Sequence, residues 1–153
     1  MENFKKLLVK AKKATYASGD KNQKIKEADG STSLFFEEAN FKYHDNYFGG
    51  EPYGGREVAF IDNKAVYIMT YYGQVTKNIK DIERVYSFLQ KALSLVPEDK
   101  PFRGPKQYKE DKLEYTNTYN GEIDEFFGQE FIKENGKKIY SARYMGGLIN
   151  TRK

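Results

Sequence analysis

Apolar residues recur every three or four positions near the start of the chain, which is the period of an amphipathic helix. Residues 3–17 place them on one face, with lysines on the other face and Gly19 just beyond the end: Phe4, Leu7, Leu8, Ala11 and Ala14. The pattern predicts a helix that packs its apolar face on the rest of the protein. A lysine-rich outer face is typical of a solvated surface helix, and binding to an anionic membrane or to RNA is the less favoured alternative.

A second helical stripe lies in the middle of the chain, over residues 79–96. Asn78 is expected to cap its first turn, Asp81 has a favourable charge there, and Pro97 ends it. The apolar positions are Ile79, Ile82, Val85, Leu89, Ala92, Leu93 and Val96. This segment predicts a helix that covers part of the core.

Between the two helices, apolar and polar residues alternate in the manner of strands. Residues 33–61 are rich in Phe and Tyr and are interrupted by glycines and Pro52, which indicates strands joined by turns. Asp62 and Asn63 predict a tight hairpin turn. Residues 65–75 follow this turn and are apolar on both faces, so they predict a central strand.

The last third of the chain predicts further strands after an extended crossing. Residues 97–111 contain three prolines, which favours an extended strap without ladder pairing. Asn120–Gly121 and Asn135–Gly136 are strong hairpin signals. Two-residue turns at these positions would place three pairs of side chains opposite each other: Phe131 with Tyr140, Ile132 with Ile139, and Tyr115 with Phe126.

These elements predict a single α+β domain over residues 1–153, with a twisted, mainly antiparallel sheet packed by an N-terminal helix and a central helix. The length agrees, because single domains most often have about 100–150 residues. Residues 18–32 are polar and are expected to form a flexible loop. The curved sheet and the central helix are expected to leave a hollow beside residues 49–55.

Composition excludes several classes of site. The chain has no cysteine and one histidine, which excludes a thiol nucleophile and a structural zinc site, and no metal or cofactor is expected. Its net charge is +4, but residues 1–28 carry +5 from eight lysines and three acids, which leaves −1 for the remainder. Nucleic acid is therefore a less favoured partner, because no broad basic surface follows. No apolar stretch could span a membrane and no signal-peptide pattern is present, so a cytoplasmic protein is expected.

The most unusual segment is residues 43–57, in which four glycines surround Pro52. Such a segment allows close approach of the backbone to a ligand, although two ordinary turns between strands would have the same composition. It matches neither a P-loop nor a dinucleotide-binding turn. Polar groups beside an aromatic sheet predict a pocket for a small polar or aromatic molecule, or for a protein partner. The predicted contacts are an anion clamp at Arg56, hydrogen-bond acceptors at Asp45 and Glu51, and aromatic walls at Tyr47 and Tyr72.

His44 is the candidate for an enzymatic alternative, a hydrolase or isomerase that uses this side chain with a nearby carboxylate. Asp45 is adjacent, but neighbouring side chains on a strand point to opposite faces. The sequence also has no G-x-S-x-G elbow for a serine nucleophile. A binding module without catalysis is the favoured interpretation, and no catalytic residue is assigned.

Five motifs lie along nearly the whole chain: AKKATYA (residues 11–17), YHDNYFGG (43–50), YYG (71–73), VP with FRGP (96–97 and 102–105), and the stretch 140–148 with its paired glycines. Together they resemble a bacterial family of domains with no assigned function. In that family the domain occurs alone or behind a helix-turn-helix regulator. This chain of 153 residues has no room for the regulator domain, so the resemblance implies a stand-alone member. The association with regulators favours effector sensing over catalysis. It carries no established catalytic or cofactor residues that could be transferred to this chain.

Overall fold

The computed structural model describes residues 1–152, apart from the side chain of Asn22. Within them, nine antiparallel strands form one sheet and two α-helices cover one of its faces. The helices are α1 (Glu2–Ala14) and α2 (Ile82–Leu93). The strands are β1 (Ile25–Lys26), β2 (Thr32–Glu38), β3 (Phe41–Gly49), β4 (Tyr53–Ile61), β5 (Lys64–Val75), β6 (Gln107–Glu110), β7 (Leu113–Glu122), β8 (Glu125–Glu134) and β9 (Lys137–Leu148).

The strand order is β1-β2-β3-β4-β5-β9-β8-β7-β6. Each half of the chain forms a run of hairpins, and the two halves meet where β5 pairs with β9. The predicted α+β class with a mainly antiparallel sheet is confirmed. β5 occupies the middle of the sheet, as the apolar run of residues 65–75 predicted. The turn at Asp62 and Asn63 is also confirmed, and both residues have the positive φ angles, 51° and 64°, that a tight hairpin requires.

The sheet has an inner face under the helices and an outer face that no other described element covers. The inner face buries large side chains against α1 and α2: Tyr43, Tyr67, Tyr115 and Tyr140 with Leu8 and Leu89. Alternate residues of the same strands point outward. Five of them remain exposed although they are large and apolar: Phe35, Phe48, Tyr72, Phe127 and Met145.

Tyrosine rings on the inner face lie over glycines of the neighbouring strand. Gly128 of β8 pairs with Tyr144 of β9, and a Cβ on Gly128 would lie 2.4 Å from the Tyr144 ring. Gly73 of β5 pairs with Tyr53 of β4, and a Cβ there would lie 2.7 Å from the Tyr53 hydroxyl. A side chain at either glycine would push the ring away from the sheet, so the glycines set the depth at which these tyrosines lie.

The N-terminal helix is confirmed, and its end is more gradual than the pattern predicted. α1 is followed by a short 3₁₀ helix, Tyr16–Ser18, which ends at Gly19 with a left-handed φ of 70°. The predicted loop of residues 18–32 contains a second 3₁₀ turn, Lys21–Gln23, and the two-residue strand β1 paired with β2. The flexibility of this loop stays a prediction.

The predicted N-cap of the central helix is wrong. Asp81 occupies that position, and its carboxylate accepts a hydrogen bond from the backbone N–H of Arg84 at 3.2 Å. Asn78 lies in the preceding turn, where its side-chain oxygen accepts from the Thr76 hydroxyl at 2.9 Å. Both residue types are good caps, and the difference arises because the helix starts one turn later than the apolar stripe indicates.

This difference gives a stability prediction. Asp81→Ala should lower the free energy of unfolding by about 1 kcal/mol, because it removes the acceptor of an N-terminal N–H group. Asn78→Ala is the matched control, and its effect should stay within about 0.5 kcal/mol. Urea denaturation measures both, and equal losses for the two variants would contradict the assignment of the cap.

The first of the two predicted Asn-Gly turns is wrong. Asn120 and Gly121 lie inside β7, and the chain reverses at Ile123 and Asp124 instead. Tyr115 consequently faces Ile132 rather than Phe126. The predicted and observed registers place the same side chains on the inner face. The alternation of apolar and polar residues therefore does not distinguish one register from the other. The observed register also buries Ile123 in the core.

The second Asn-Gly turn is confirmed, but a bulge changes the pairing beyond it. Asn135 and Gly136 have positive φ angles of 50° and 80°, and Glu134 pairs with Lys137. A register shift between Ile132 and Lys133 then places Ile132 opposite Tyr140, and Phe131 opposite Ser141. The predicted pairs Phe131–Tyr140 and Ile132–Ile139 are therefore wrong. The strap of residues 97–111 also needs a correction, because β6 pairs with β7 as an edge strand after the last proline.

Candidate functional site

A cavity of about 570 Å³ lies between the inner face of the sheet, α2 and the end of α1. It is next to the hairpin tip at Gly49 and Gly50, where the sequence analysis expected a hollow. The described residues around it come from seven segments: Lys12, Tyr16 and Ala17; Lys21, Lys24 and Lys26; Tyr43, Asp45, Tyr47, Gly49 and Gly50; Tyr53 and Glu57; Tyr71; Ile82, Glu83, Tyr86, Ser87, Gln90 and Leu93; and Phe102 with Arg103.

Tyrosines form most of the cavity wall. Alternation along β3, β4 and β5 brings Tyr43, Tyr47, Tyr53 and Tyr71 to the inner face, and α2 adds Tyr86 from the other side. The rings of Tyr53 and Tyr86 meet edge to face, with 5.8 Å between their centroids. Such rings offer an apolar body and a hydroxyl group that can hydrogen-bond, which suits a ligand with both apolar and polar parts.

Two carboxylates lie side by side at the inner end of the cavity. Asp45 of β3 is directly opposite Glu57 of β4, and their exposed fractions are 3% and 5%. Glu57 Oε1 accepts hydrogen bonds from Lys12 Nζ at 2.8 Å and from the Tyr43 hydroxyl. Asp45 Oδ1 accepts from the Tyr71 hydroxyl. Among the described side chains, none provides Asp45 with a cation within ion-pair distance, and none hydrogen-bonds to its Oδ2.

Among the described residues, the lack of a cation beside Asp45 is accompanied by a raised pKa of its carboxyl. Burial, and next the negative charge of Glu57, raises the pKa of Asp45 to about 7. The hydrogen bond from Tyr71 and the charges of Arg103 and Lys12 act in the opposite direction. Burial also lowers the pKa of Lys12, and the nearby Glu57 only partly offsets this. Asp45 therefore holds a proton at a higher pH than a solvent-exposed aspartate does.

A buried ion pair between Arg103 and Glu130 supports the cavity from below. Arg103 Nε donates to Glu130 Oε1 at 3.1 Å, and Arg103 Nη2 donates to the same oxygen and, at 3.2 Å, to the Tyr53 hydroxyl. Glu130 also accepts from the hydroxyls of Tyr115 and Tyr140. Burial alone would lower the pKa of Arg103, but Glu130 and the neighbouring tyrosines raise it well above its usual value. The guanidinium is therefore already neutralised within the protein.

The opening of the cavity is basic. Lys21, Lys24 and Lys26 lie around it, and Glu83 of α2 is the acidic side chain among the residues at this end. The Lys24 ammonium is 5.8 Å from the centroid of the Tyr47 ring. Lys26 Nζ donates to the Thr32 hydroxyl at 2.8 Å. Three of the eight lysines in residues 1–28 therefore lie at the mouth of the cavity.

The structure brings together only part of the predicted contact set. Asp45 and Tyr47 line the cavity. Glu51 accepts hydrogen bonds from the Val75 N–H at 2.7 Å and from the Tyr86 hydroxyl, so it fixes the hairpin tip to β5 and α2. Arg56 and Tyr72 are exposed on the outer face, away from the cavity.

His44 also points to the outer face. Its Nε2 hydrogen-bonds with the Ser33 hydroxyl at 2.8 Å, and its ring stacks on Phe35 with 4.3 Å between the centroids. Burial and then the charge of Arg56 lower the pKa of His44. The structure therefore does not bring His44 and Asp45 together.

Three buried charged residues of the cavity were not identified from the sequence: Lys12, Glu57 and Arg103. Lys12 is an exception to the expected lysine-rich outer face of α1. It lies on the buried face beside Leu8 and Ala11, and its helical spacing from Leu8 was a signal that the sequence offered. The position of Glu57 opposite Asp45 follows from the β3–β4 register, and the turn at the tip of the hairpin determines that register.

Two further observations apply to the described part of the chain. No helix within residues 1–152 has both the length and the apolar character needed to cross a membrane. In the same residues, His, Asp and Glu form no cluster of three that could hold a metal ion.

The comparisons with known proteins give a family but no activity. No curated protein and no solved structure matches the chain significantly. The model of one family, described as a domain of unknown function (DUF5680), matches residues 45–149. The matched region begins at Asp45 and includes Glu57, Arg103 and Glu130, whereas α1 and the lysines of the mouth precede it. Because the match covers more than half of the chain, this protein belongs to the DUF5680 family.

Proposed function

We propose that this protein is a non-enzymatic module that binds a small molecule in the cavity between α2 and the sheet, as an effector-sensing domain would. The observation that carries the proposal is Asp45, a buried carboxylate that faces an aromatic cavity without a cation of its own. Burying a charge without a partner is unfavourable, and a bound polar ligand would relieve that cost.

Size and surface chemistry support a ligand of metabolite size. Small-molecule sites typically have volumes of about 300–1,000 Å³ and combine apolar walls with a few polar groups. The cavity, at about 570 Å³, is within that range. Its tyrosines provide the walls, and Asp45 provides an acceptor at the inner end.

The outer face is the alternative location, for a protein partner. Arg56 and Tyr72 lie there beside exposed apolar side chains. We favour the cavity because it contains buried polar groups that converge on one space, whereas the outer face offers an open surface without such convergence.

A second candidate function is general acid–base catalysis by Asp45 and Glu57, in place of the His44 mechanism. Two facing carboxyls of which one is protonated near neutral pH and the other is paired with a cation could act as acid and base. If a ligand of the cavity is converted by the protein, turnover should be lost in both Asp45→Asn and Glu57→Gln.

A thermal-shift screen of metabolite classes tests the binding proposal. A ligand present at 100 times its dissociation constant should stabilise the protein by about 2.7 kcal/mol. Ser87→Trp, on the cavity side of α2, should block the mouth and remove the shift. Lys91→Trp, which is exposed on the same helix and does not line the cavity, is the matched control and should retain it. Silence across all classes, or shifts that persist in Ser87→Trp, would contradict the proposal.

A further inference from the structure

Buried charges of both signs lie at the inner end of the cavity, and three lysines line its mouth. The buried charges are the carboxylates Asp45 and Glu57 and the cations Lys12 and Arg103. We propose that the ligand is an organic zwitterion, which places a protonated amine against Asp45 and an anionic group among Lys21, Lys24 and Lys26. This inference rests on the proposed binding function and adds the chemical class of the ligand.

The inner end lacks one positive charge. Asp45 and Glu57 line it, and Glu130 lies behind Arg103. Two of these three buried carboxylates have a cation: Glu57 has Lys12 at 2.8 Å, and Glu130 has Arg103 at 3.1 Å. Asp45 is the third, and no side chain of residues 1–152 provides it with a cation. An ammonium group beside Asp45 Oδ2 would complete the set. Tyr47 and Tyr71 would surround that ammonium with aromatic rings, which attract cations.

An anionic group at the inner end is unfavourable for the same reason. It would lie beside the carboxylates of Asp45 and Glu57, which face each other across β3 and β4. Arg103 is not available to neutralise it, because its guanidinium is held by Glu130 and the Tyr53 hydroxyl. Repulsion between the anionic group of the ligand and these two carboxylates would disfavour binding.

The mouth has the opposite requirement. Lys21, Lys24 and Lys26 line it, and Glu83 provides one opposing charge. A ligand that carried only a positive charge would be repelled there as it entered. A carboxylate or phosphate on the outer end of the ligand would instead be attracted, and it would remain near these lysines when the amine reached Asp45.

Four probes with one aromatic ring separate the contributions of the two charges. They are para-(aminomethyl)benzoate as the zwitterion, benzylamine as the cation, para-(hydroxymethyl)benzoate as the anion, and benzyl alcohol as the neutral compound. A second zwitterion, para-(2-aminoethyl)benzoate, extends the distance between the charges by one methylene group. Titration calorimetry should show that one zwitterion binds at least about tenfold more tightly than each of the other three.

Two variants assign the charges to their protein partners. Asp45→Asn keeps an acceptor for the Tyr71 hydroxyl and should reduce zwitterion affinity about tenfold or more, while binding of para-(hydroxymethyl)benzoate stays unchanged. The double variant Lys21→Gln with Lys24→Gln should weaken binding of the zwitterion and should not weaken binding of benzylamine, because the lysines repel a ligand that carries only a positive charge. Equal losses for all probes in Asp45→Asn would indicate a structural role and would overturn the assignment.

The pH dependence provides an independent readout. The groups that face Asp45 are Glu57 from β4, Tyr71 from β5, Lys12 from α1 and Arg103 from the strap. The amine of the ligand stays protonated between pH 6 and pH 8, whereas the carboxyl of Asp45 has a pKa of about 7 and becomes ionised. Zwitterion affinity should therefore rise about tenfold over this range in the native protein and stay flat in Asp45→Asn.

The failure of this inference is distinguishable from the failure of the proposed function. If neutral or anionic compounds of the metabolite screen occupy the cavity and neither zwitterion binds, the ligand class is wrong while the binding function stands. If no compound of any class binds in the cavity, both proposals fail.

Discussion

Replacing Glu130 by Gln should lower the free energy of unfolding by about 3–5 kcal/mol, because it leaves the buried Arg103 guanidinium without its counter-charge. Glu130 is 0% exposed and accepts from Arg103 and from the hydroxyls of Tyr115 and Tyr140. A glutamine amide cannot accept at both of its ends, so at least one of these donors also loses its partner. Urea denaturation at neutral pH measures the loss.

The control for this prediction is on the same strand. Glu125→Gln changes an exposed carboxylate of β8 and should alter stability by less than about 0.5 kcal/mol. The double variant Arg103→Met with Glu130→Leu removes both charges and should be more stable than Glu130→Gln alone, because no unpaired charge remains. A loss of less than about 1 kcal/mol in Glu130→Gln would mean that the ion pair does not hold the fold together in the described way.

Asp45→Asn should stabilise the unliganded protein at alkaline pH, in contrast to most substitutions of buried residues. The pKa of Asp45 is raised from 3.8 to about 7 in the folded protein, so the folded state holds its proton more tightly than the unfolded chain does. Stability from this group is complete below pH 4 and is lost as the pH rises toward 7. Above pH 7, ionised Asp45 lowers the free energy of unfolding by up to about 4 kcal/mol relative to its value at low pH. The neutral amide that replaces the carboxyl in Asp45→Asn does not ionise, so the variant avoids this loss.

Denaturation curves of the two proteins between pH 5 and pH 8 test this prediction. The variant should gain stability relative to the native protein throughout this range, with a slope of about 1.4 kcal/mol per pH unit that levels off above pH 7. Gln129→Ala, which changes an exposed and non-titrating residue of β8, should run parallel to the native protein. If the curves of Asp45→Asn and the native protein are also parallel, the carboxyl of Asp45 has an ordinary pKa and the cavity does not enforce its desolvation.

The sequence predicts the elements of this fold better than their pairing. Local patterns suffice for α1, α2 and the central strand β5, because helical and strand periods are properties of neighbouring residues. The β7–β8 register depends on a choice between two turns that bury the same inward-facing residues, and Gly121 was the more visible signal. The bulge after Ile132 has no sequence signal that we can identify.

The candidate site was predicted in part for a similar reason. The glycine-rich segment indicated Asp45 and Tyr47, which do line the cavity. Arg56 and Glu57 are neighbours on β4, and adjacent side chains of a strand point to opposite faces of the sheet. Arg56 therefore lies on the outer face, and Glu57 lies on the inner face that lines the cavity. Lys12 and Arg103 reach the same cavity from distant segments, and Lys12 Nζ bonds to the carbonyl of Phe102, 90 residues away in sequence. Such contacts depend on tertiary packing rather than on local pattern.

A crystal structure of the protein with the zwitterion that binds most tightly tests the central claim most directly. The account predicts density for the ligand between Tyr47, Tyr71 and Tyr86, with its nitrogen within hydrogen-bond distance of Asp45 Oδ2 and its anionic group toward Lys21 and Lys24. Density on the outer face beside Tyr72, or a reversed ligand with its acid group against Asp45, would contradict it.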